Sequence, residues 1–220
     1  MQLKKPIKDV VIFGDSYSTF KGYIPEKYSP WYSVGGRPEQ TDVFRVEDTW
    51  WYALSSELKL NIVRNDSWSG STLAHFIPPL DSEFPFRPSF IERFEKLFKE
   101  GFFEKKIDTV FVFGCTNDSW KGLPIGEIKF DGFEEEELHS VCPAICYLAK
   151  RLKEVLPEAN IIFIINTSLK PEIAMATKAA ANFFEAFYIE LENIEKQSGH
   201  PNVKGMSQIK EQVKRFIEEN

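Results

Sequence analysis

The chain has 220 residues, of which 43% are hydrophobic and 20 are Phe, a globular composition that suits one domain, residues 1–220, with a sizeable core. Its net charge is -6 and no basic cluster stands out, which argues against nucleic acid and anionic membrane surfaces as partners. Cys115, Cys142 and Cys146 form an odd set with no CxxC pair, so nothing demands disulfides and a reducing compartment is compatible.

The N-terminal stretch MQLKKPIKDVVIF starts basic but holds no sustained apolar run before Gly14, too little for a signal-peptide core. No stretch of about 18 apolar residues occurs, so no membrane-spanning helix is expected. The expected location is cytoplasmic as the sequence stands, or secreted or periplasmic if a leader has been removed.

A first strand is expected over residues 9–13, from the run Val10-Val11-Ile12. Residues 21–46, rich in Gly, Pro, Tyr and Trp, read as a long loop. Asp48 or Thr49 can cap a helix through Trp50, Leu54 and Leu58, with at least one of Trp50 and Trp51 in the core. A second strand follows over 61–64. Residues 88–99 carry Phe90, Ile91, Phe94, Leu97 and Phe98 on one helical face, with Arg93 either pairing a core acid or reaching a substrate. The third strand spans 109–113, and residues 119–132 form a second long loop. Residues 134–155 read as one amphipathic helix, whose acidic start suits the helix dipole. Cys142 and Cys146 fall one turn apart on it as small buried hydrophobes. A fourth strand over 161–165, an Ala-rich helix over 171–186, a fainter strand over 187–191 and a closing helix over 205–219 complete the chain. Strands alternating with helices predict a parallel sheet covered on both faces. The two long loops follow strand C-termini, where open α/β sheets bind ligands, and read as walls or lids.

Four stretches at strand ends carry the chemistry. "FGDSYSTF" follows the first strand, "NDSWSGSTL" the second, "FGCTNDSW" the third and "SGHPNVKGM" the fifth. Gly-Asp-Ser alone is ordinary turn chemistry. Ser16 as a nucleophile requires a base, a group that orients the base, and oxyanion donors.

In this order, Gly14-Asp15-Ser16, Gly70, Asn117-Asp118 and His200-Pro201 resemble the SGNH, or GDSL-type, hydrolase family, from Gly14 to Met206. The resemblance implies a flavodoxin-like three-layer α/β sandwich, with a five-stranded parallel sheet flanked by helices. It implies esterase chemistry, with Ser16 as nucleophile and His200 as general base. The oxyanion hole would be the Ser16 and Gly70 amides and the Asn117 side chain. Asp15 and Asp118 would fix turns by local hydrogen bonds.

One position departs from the family pattern. The acid expected three residues before His200 is replaced by Gln197, which can orient the imidazole through its amide oxygen but brings no charge. A backbone carbonyl, Glu192 or Glu195 are the alternatives. Trp31, Tyr32, Trp68 and Trp120 lie on loops near the expected site, and Trp68 and Trp120 are candidates for lining a sugar ring or an acyl chain. His75 and His139 have no partners at ligand spacing, so no metal is expected, and the chemistry needs no cofactor. The expected substrate is a small-molecule or carbohydrate ester, with an acetyl group the favoured acyl part. Two other functions fit the same cleft: a catalytically weak glycan binder, favoured by Gln197, and an acyl transferase.

Overall fold

The computed structural model describes residues 2–80 and 85–220. Five parallel strands form one sheet: β1 Asp9–Gly14, β2 Asn61–Ser67, β3 Thr109–Phe113, β4 Asn160–Ile165 and β5 Phe187–Glu190, in the order β2-β1-β3-β4-β5. The three central strands, β1, β3 and β4, are continuous apolar runs because both sheet faces are covered. Val11, Phe13, Val110, Val112, Ile161 and Phe163 point to one side, against α2 (Phe90–Lys99), α4 (Val141–Val155) and α5 (Pro171–Phe183). Val10, Ile12, Phe111, Phe113, Ile162 and Ile164 point to the other, against α1 (Trp50–Leu58) and α6 (Val203–Glu219). This is the expected three-layer α/β sandwich. Both Trp50 and Trp51 are buried in it.

The differences from expectation lie at element ends. The second strand runs on to Ser67, because its polar end finds partners. Asn65 Nδ2 donates to the Ser18 carbonyl at 2.9 Å, Ser67 donates to Asn65 Oδ1 at 2.5 Å, and Asp66 is held by Arg64 and Arg93. The helix expected over 134–155 is two pieces, a 3₁₀ turn Glu135–His139 and α4, separated by extended Ser140. Pro143 is the cause: it has no N–H for the His139 carbonyl, and its ring would clash there in a continuous helix. Asn202 caps α6, accepting from Gly205 N at 2.8 Å, so this helix starts two residues earlier than expected. Ser89 and Glu92 form a capping box that starts α2 at Phe90. Thr49 precedes α1, but its hydroxyl donates to the Val46 carbonyl instead of capping the helix.

The sheet order reverses between β1 and β3, which opens a crevice at their C-terminal ends. Ser16 follows β1, Gly70 follows β2, and α3 (Thr116–Trp120) follows β3. Beyond β5 the chain forms a hairpin absent from the expected elements, β6 Lys196–Gln197 paired antiparallel with β7 His200–Pro201. Among the described residues, no helix is long and apolar enough to cross a membrane.

Candidate active site

The chain leaves β1 at Gly14 and turns at once into a 3₁₀ turn, Ser16–Ser18. Asp15 caps it, accepting from Tyr17 N at 3.0 Å. The Asp15 carboxyl is fully buried, with Oδ2 unpartnered, and burial pushes its pKa up to about 7. Asp118 is buried too, and burial pushes it up to about 6. Its bonds are not the local turn expected: it accepts from Leu73 N and Ala74 N, 45 and 44 residues away, and so ties the Gly70 loop to α3.

Ser16 Oγ lies 2.9 Å from His200 Nε2. The hairpin explains how His200 gets there. Its turn residues Ser198 and Gly199 both have positive φ, 48° and 76°, the backbone of a two-residue hairpin loop. Gly199 is needed twice over, since a Cβ there would also lie 3.2 Å from the Trp120 ring. Tyr17 OH donates to the Gly199 carbonyl at 2.6 Å, and Tyr32 OH to the Pro201 carbonyl at 2.8 Å. Tyr17, the residue after Ser16, therefore fastens the hairpin that carries His200.

The same turn aims the Ser198 carbonyl at His200 Nδ1, 3.0 Å away. A carbonyl can only accept, so Nδ1 carries the proton and Nε2 is left to accept from the Ser16 hydroxyl. This corrects the expectation for Gln197. Cross-strand from His200 in the hairpin, it sends its side chain away, donating to the Pro38 carbonyl at 3.3 Å. Glu195 is engaged elsewhere, with Lys204 and Asn202. Gln197→Asp is therefore expected to leave kcat and the acidic limb of the pH–rate profile unchanged. A rate gain with a limb moved to higher pH would show that residue 197 does reach the imidazole.

Aromatic rings enclose the His200 imidazole. Trp31 stacks on the His200 ring, with centroids 3.6 Å apart and planes 7° apart. Trp120 meets it edge-on at 5.5 Å, and Tyr17 lies at 5.4 Å. This burial, helped by the positive charges of Lys196 and Arg37, pulls the His200 pKa down to about 4, despite the Ser198 carbonyl. Among the described residues no carboxylate contacts the imidazole. Trp31 and its neighbour Tyr32 come from the long loop over 21–46, which is thus a wall of the site. Trp120, 54% exposed, sits at the mouth. Trp68 is half-buried and stacks on Tyr28 at 4.1 Å, forming a wall two residues from Gly70.

Gly70 has φ +82°, a conformation costly for other residues, and a Cβ there would meet the Arg87 guanidinium at 3.0 Å. Asn117 Nδ2 donates to the Ser71 carbonyl at 3.0 Å. This uses one of its two amide hydrogens and fixes the side chain beside the Gly70 loop. Arg93 is the buried joint beneath. It pairs with Asp66 Oδ1 at 2.7 Å and donates to the Asp66 carbonyl, to the Gly14 carbonyl at 3.2 Å and to Ser71 Oγ at 3.3 Å. It thus links the ends of β1 and β2 to the loop carrying Gly70. Of its two expected fates, the core acid is the one found.

Ser16 and His200 thus meet at one crevice with Trp120 beside them, and Asn117 is fixed to the loop that carries Gly70. The sequence offered a backbone carbonyl without pointing to Ser198, a core acid for Arg93 without pointing to Asp66, and no role for Tyr17. Ser198-Gly199 between short extended pairs is a hairpin signal that could have revealed the first.

The sequence matches the GDSL-like lipase/acylhydrolase family over residues 8–217. The crystal structure of a GDSL-like lipase from Bacteroides ovatus is 39% identical, with 98% of this chain and 100% of that one aligned at a TM-score of 0.86. A GDSL-like lipase structure from Bacteroides uniformis is 38% identical, with 97% of each chain covered and a TM-score of 0.85. A family two carbohydrate esterase from Clostridium thermocellum, solved with cellohexaose, shares the fold at 14% identity and a TM-score of 0.63, over 98% of this chain and 65% of that one. No curated protein matched. On the family match and the two Bacteroides structures, the chain belongs to the GDSL-like lipase/acylhydrolase family.

Proposed function

We propose that the protein is a serine esterase that removes small acyl groups, acetyl above all, from carbohydrate or similar small alcohols through an acyl-enzyme. The observation that carries this reading is the 2.9 Å contact between Ser16 Oγ and a His200 nitrogen in the accepting tautomer. In the first half, His200 Nε2 takes the Ser16 hydroxyl proton as Oγ bonds the ester carbonyl carbon. The carbonyl π electrons move to oxygen, where the Ser16 and Gly70 amides and Asn117 Nδ2 donate. Collapse breaks the bond to the alcohol oxygen, which leaves with the proton from Nε2. In the second half, water gives its proton to Nε2 and bonds the acyl carbon, and Ser16 Oγ departs with that proton. The sum is ester plus water to acid plus alcohol.

The missing acid is offset in part by two groups. The Ser198 carbonyl fixes the tautomer, and the Trp31 face lies against the imidazolium formed during attack, a cation–π contact. Trp31→Leu is expected to lower kcat by roughly 2- to 30-fold, from a cation–π contact of about 0.5–2 kcal/mol. It also uncovers the ring. Burial is the largest cause of the depressed pKa, so the acidic limb of kcat/KM should move upward from about pH 4. Below that limb the imidazole is protonated and cannot act as a base. A limb that stays in place would mean that Trp31 neither buries nor supports the imidazole.

The carbohydrate part of the proposal rests on the exposed Trp120 and the Trp68–Tyr28 wall, faces suited to sugar rings. A non-catalytic glycan binder is favoured by one observation, a base without a carboxylate and with a pKa pulled down to about 4. Turnover of 4-nitrophenyl acetate, absent in Ser16→Ala, supports the esterase, and binding of glycans without turnover supports the binder. An acyl transferase would instead move the acetyl group to an added sugar acceptor, visible in the products.

A further inference from the structure

We propose that the ester substrates carry a carboxylate and that Arg87 holds it at the Gly70 side of the cleft. This inference rests on the esterase reading for its turnover arm alone.

The first ground is the state of Arg87. Its guanidinium lies against Gly70, and Nη1 donates to the Ser69 carbonyl. It is half-buried, and burial alone lowers its pKa, leaving it charged. Among the described residues no carboxylate lies within ion-pair distance of it, and one carbonyl occupies a fork of five N–H donors. A partly desolvated guanidinium normally has an anion against its planar fork, and carboxylate is the shape that fits it with two parallel bonds.

The second ground is the sign of the charge around the cleft. Lys121 Nζ donates to the Gly70 carbonyl at 2.9 Å, on the next peptide unit, and feels the Arg87 charge. On the opposite side Lys196 and Arg37 act on His200. Lys196 Nζ lies 5.5 Å over the Tyr17 ring, and Arg37 lies 4.8 Å over Trp31. Of the acids at the site, Asp15 and Asp118 are 1% and 0% exposed and pushed toward their neutral forms, and Asp66, 0% exposed, is paired with Arg93, so none offers a ligand a negative surface. A chain of net charge -6 has gathered four cations around one crevice. Such a field attracts anionic ligands and repels none of their charge.

The carboxylate can belong to the acyl part or to the alcohol, and two substrate pairs separate these. 4-Nitrophenyl acetate against mono-4-nitrophenyl succinate tests the acyl side. Acetylated methyl glucoside against its acetylated glucuronate counterpart tests the alcohol side. In at least one pair the acidic member should show a kcat/KM about tenfold higher or more, the size of one charge-assisted hydrogen-bonded contact. The preference should shrink with added salt, fall toward unity in Arg87→Gln, and survive in part in Arg87→Lys. Calorimetry on Ser16→Ala with succinate, glucuronate and glucose reads the same contact without turnover. Either acid should bind more tightly than glucose, with the difference lost when Arg87→Gln is added. Neutral esters turned over as fast as acidic ones in both pairs would overturn the inference and leave the esterase reading standing. No turnover of any ester would overturn the esterase reading, and the calorimetric difference would still decide for or against the carboxylate site.

Discussion

Replacing His200 with Ala is expected to lower kcat for a simple acetyl ester by about 10²–10⁴-fold, the range of a positioned general base. The contact that makes the difference is the one to Ser16 Oγ. With the ring gone, the serine hydroxyl must lose its proton to water during attack, and the leaving alcohol has no acid. KM should change little, because the imidazole acts on developing charge and not on the bound ester. The ring also packs against Trp31, so the variant is to be checked by thermal melt beside His200→Gln, which keeps most of the volume. The double variant Ser16→Ala, His200→Ala should be no slower than either single one, since the pair acts as a unit. Losses that multiply would mean that the two residues act separately. A folded His200→Ala that keeps most of its kcat would remove the base from the mechanism.

Asn117→Ala is expected to lower kcat by about a hundred- to a thousandfold, the cost of one oxyanion donor, with far less change in KM. The side chain is held by its bond to the Ser71 carbonyl, on the loop that also carries Gly70. This double duty needs a control. Asn117→Asp keeps the shape but turns the donor into an acceptor, and it should be at least as slow as the alanine variant. If Asn117 merely shaped the loop, the alanine variant would lose stability and keep its kcat. Kinetics and a melt on the same sample separate the two.

Much of this was legible because strand ends and sheet faces obey simple rules. The runs VVIF, TVFVF and IIFII, short and rich in β-branched and aromatic residues, read as strands buried on both sides, with the polar motifs at their ends. Ser16 and His200, paired from motif order alone across 184 residues, do meet at 2.9 Å. What was not legible depended on partners far away in sequence. Asn65, Asp66 and Ser67 look like a loop, and they are strand because Arg93 and Ser18 satisfy them. Gln197 stood at the expected distance from His200, yet the hairpin pairs it across from His200 and points it outward. The orienting group is a main-chain carbonyl, which no side-chain pattern announces. The stacking of Trp31 on His200 required the path of a 26-residue loop, residues 21–46, that has no periodicity to read.

The most direct test of Ser16 as an activated nucleophile is intact-mass spectrometry of the folded protein treated with a fluorophosphonate probe. Attack of Ser16 Oγ on phosphorus expels fluoride and leaves one covalent adduct. A single adduct is expected on the wild type, mapped to Ser16 and absent from Ser16→Ala. His200→Ala should slow the labelling strongly, because the hydroxyl then lacks its base. No adduct on the wild type, or an equal adduct on Ser16→Ala, would contradict Ser16 as the nucleophile.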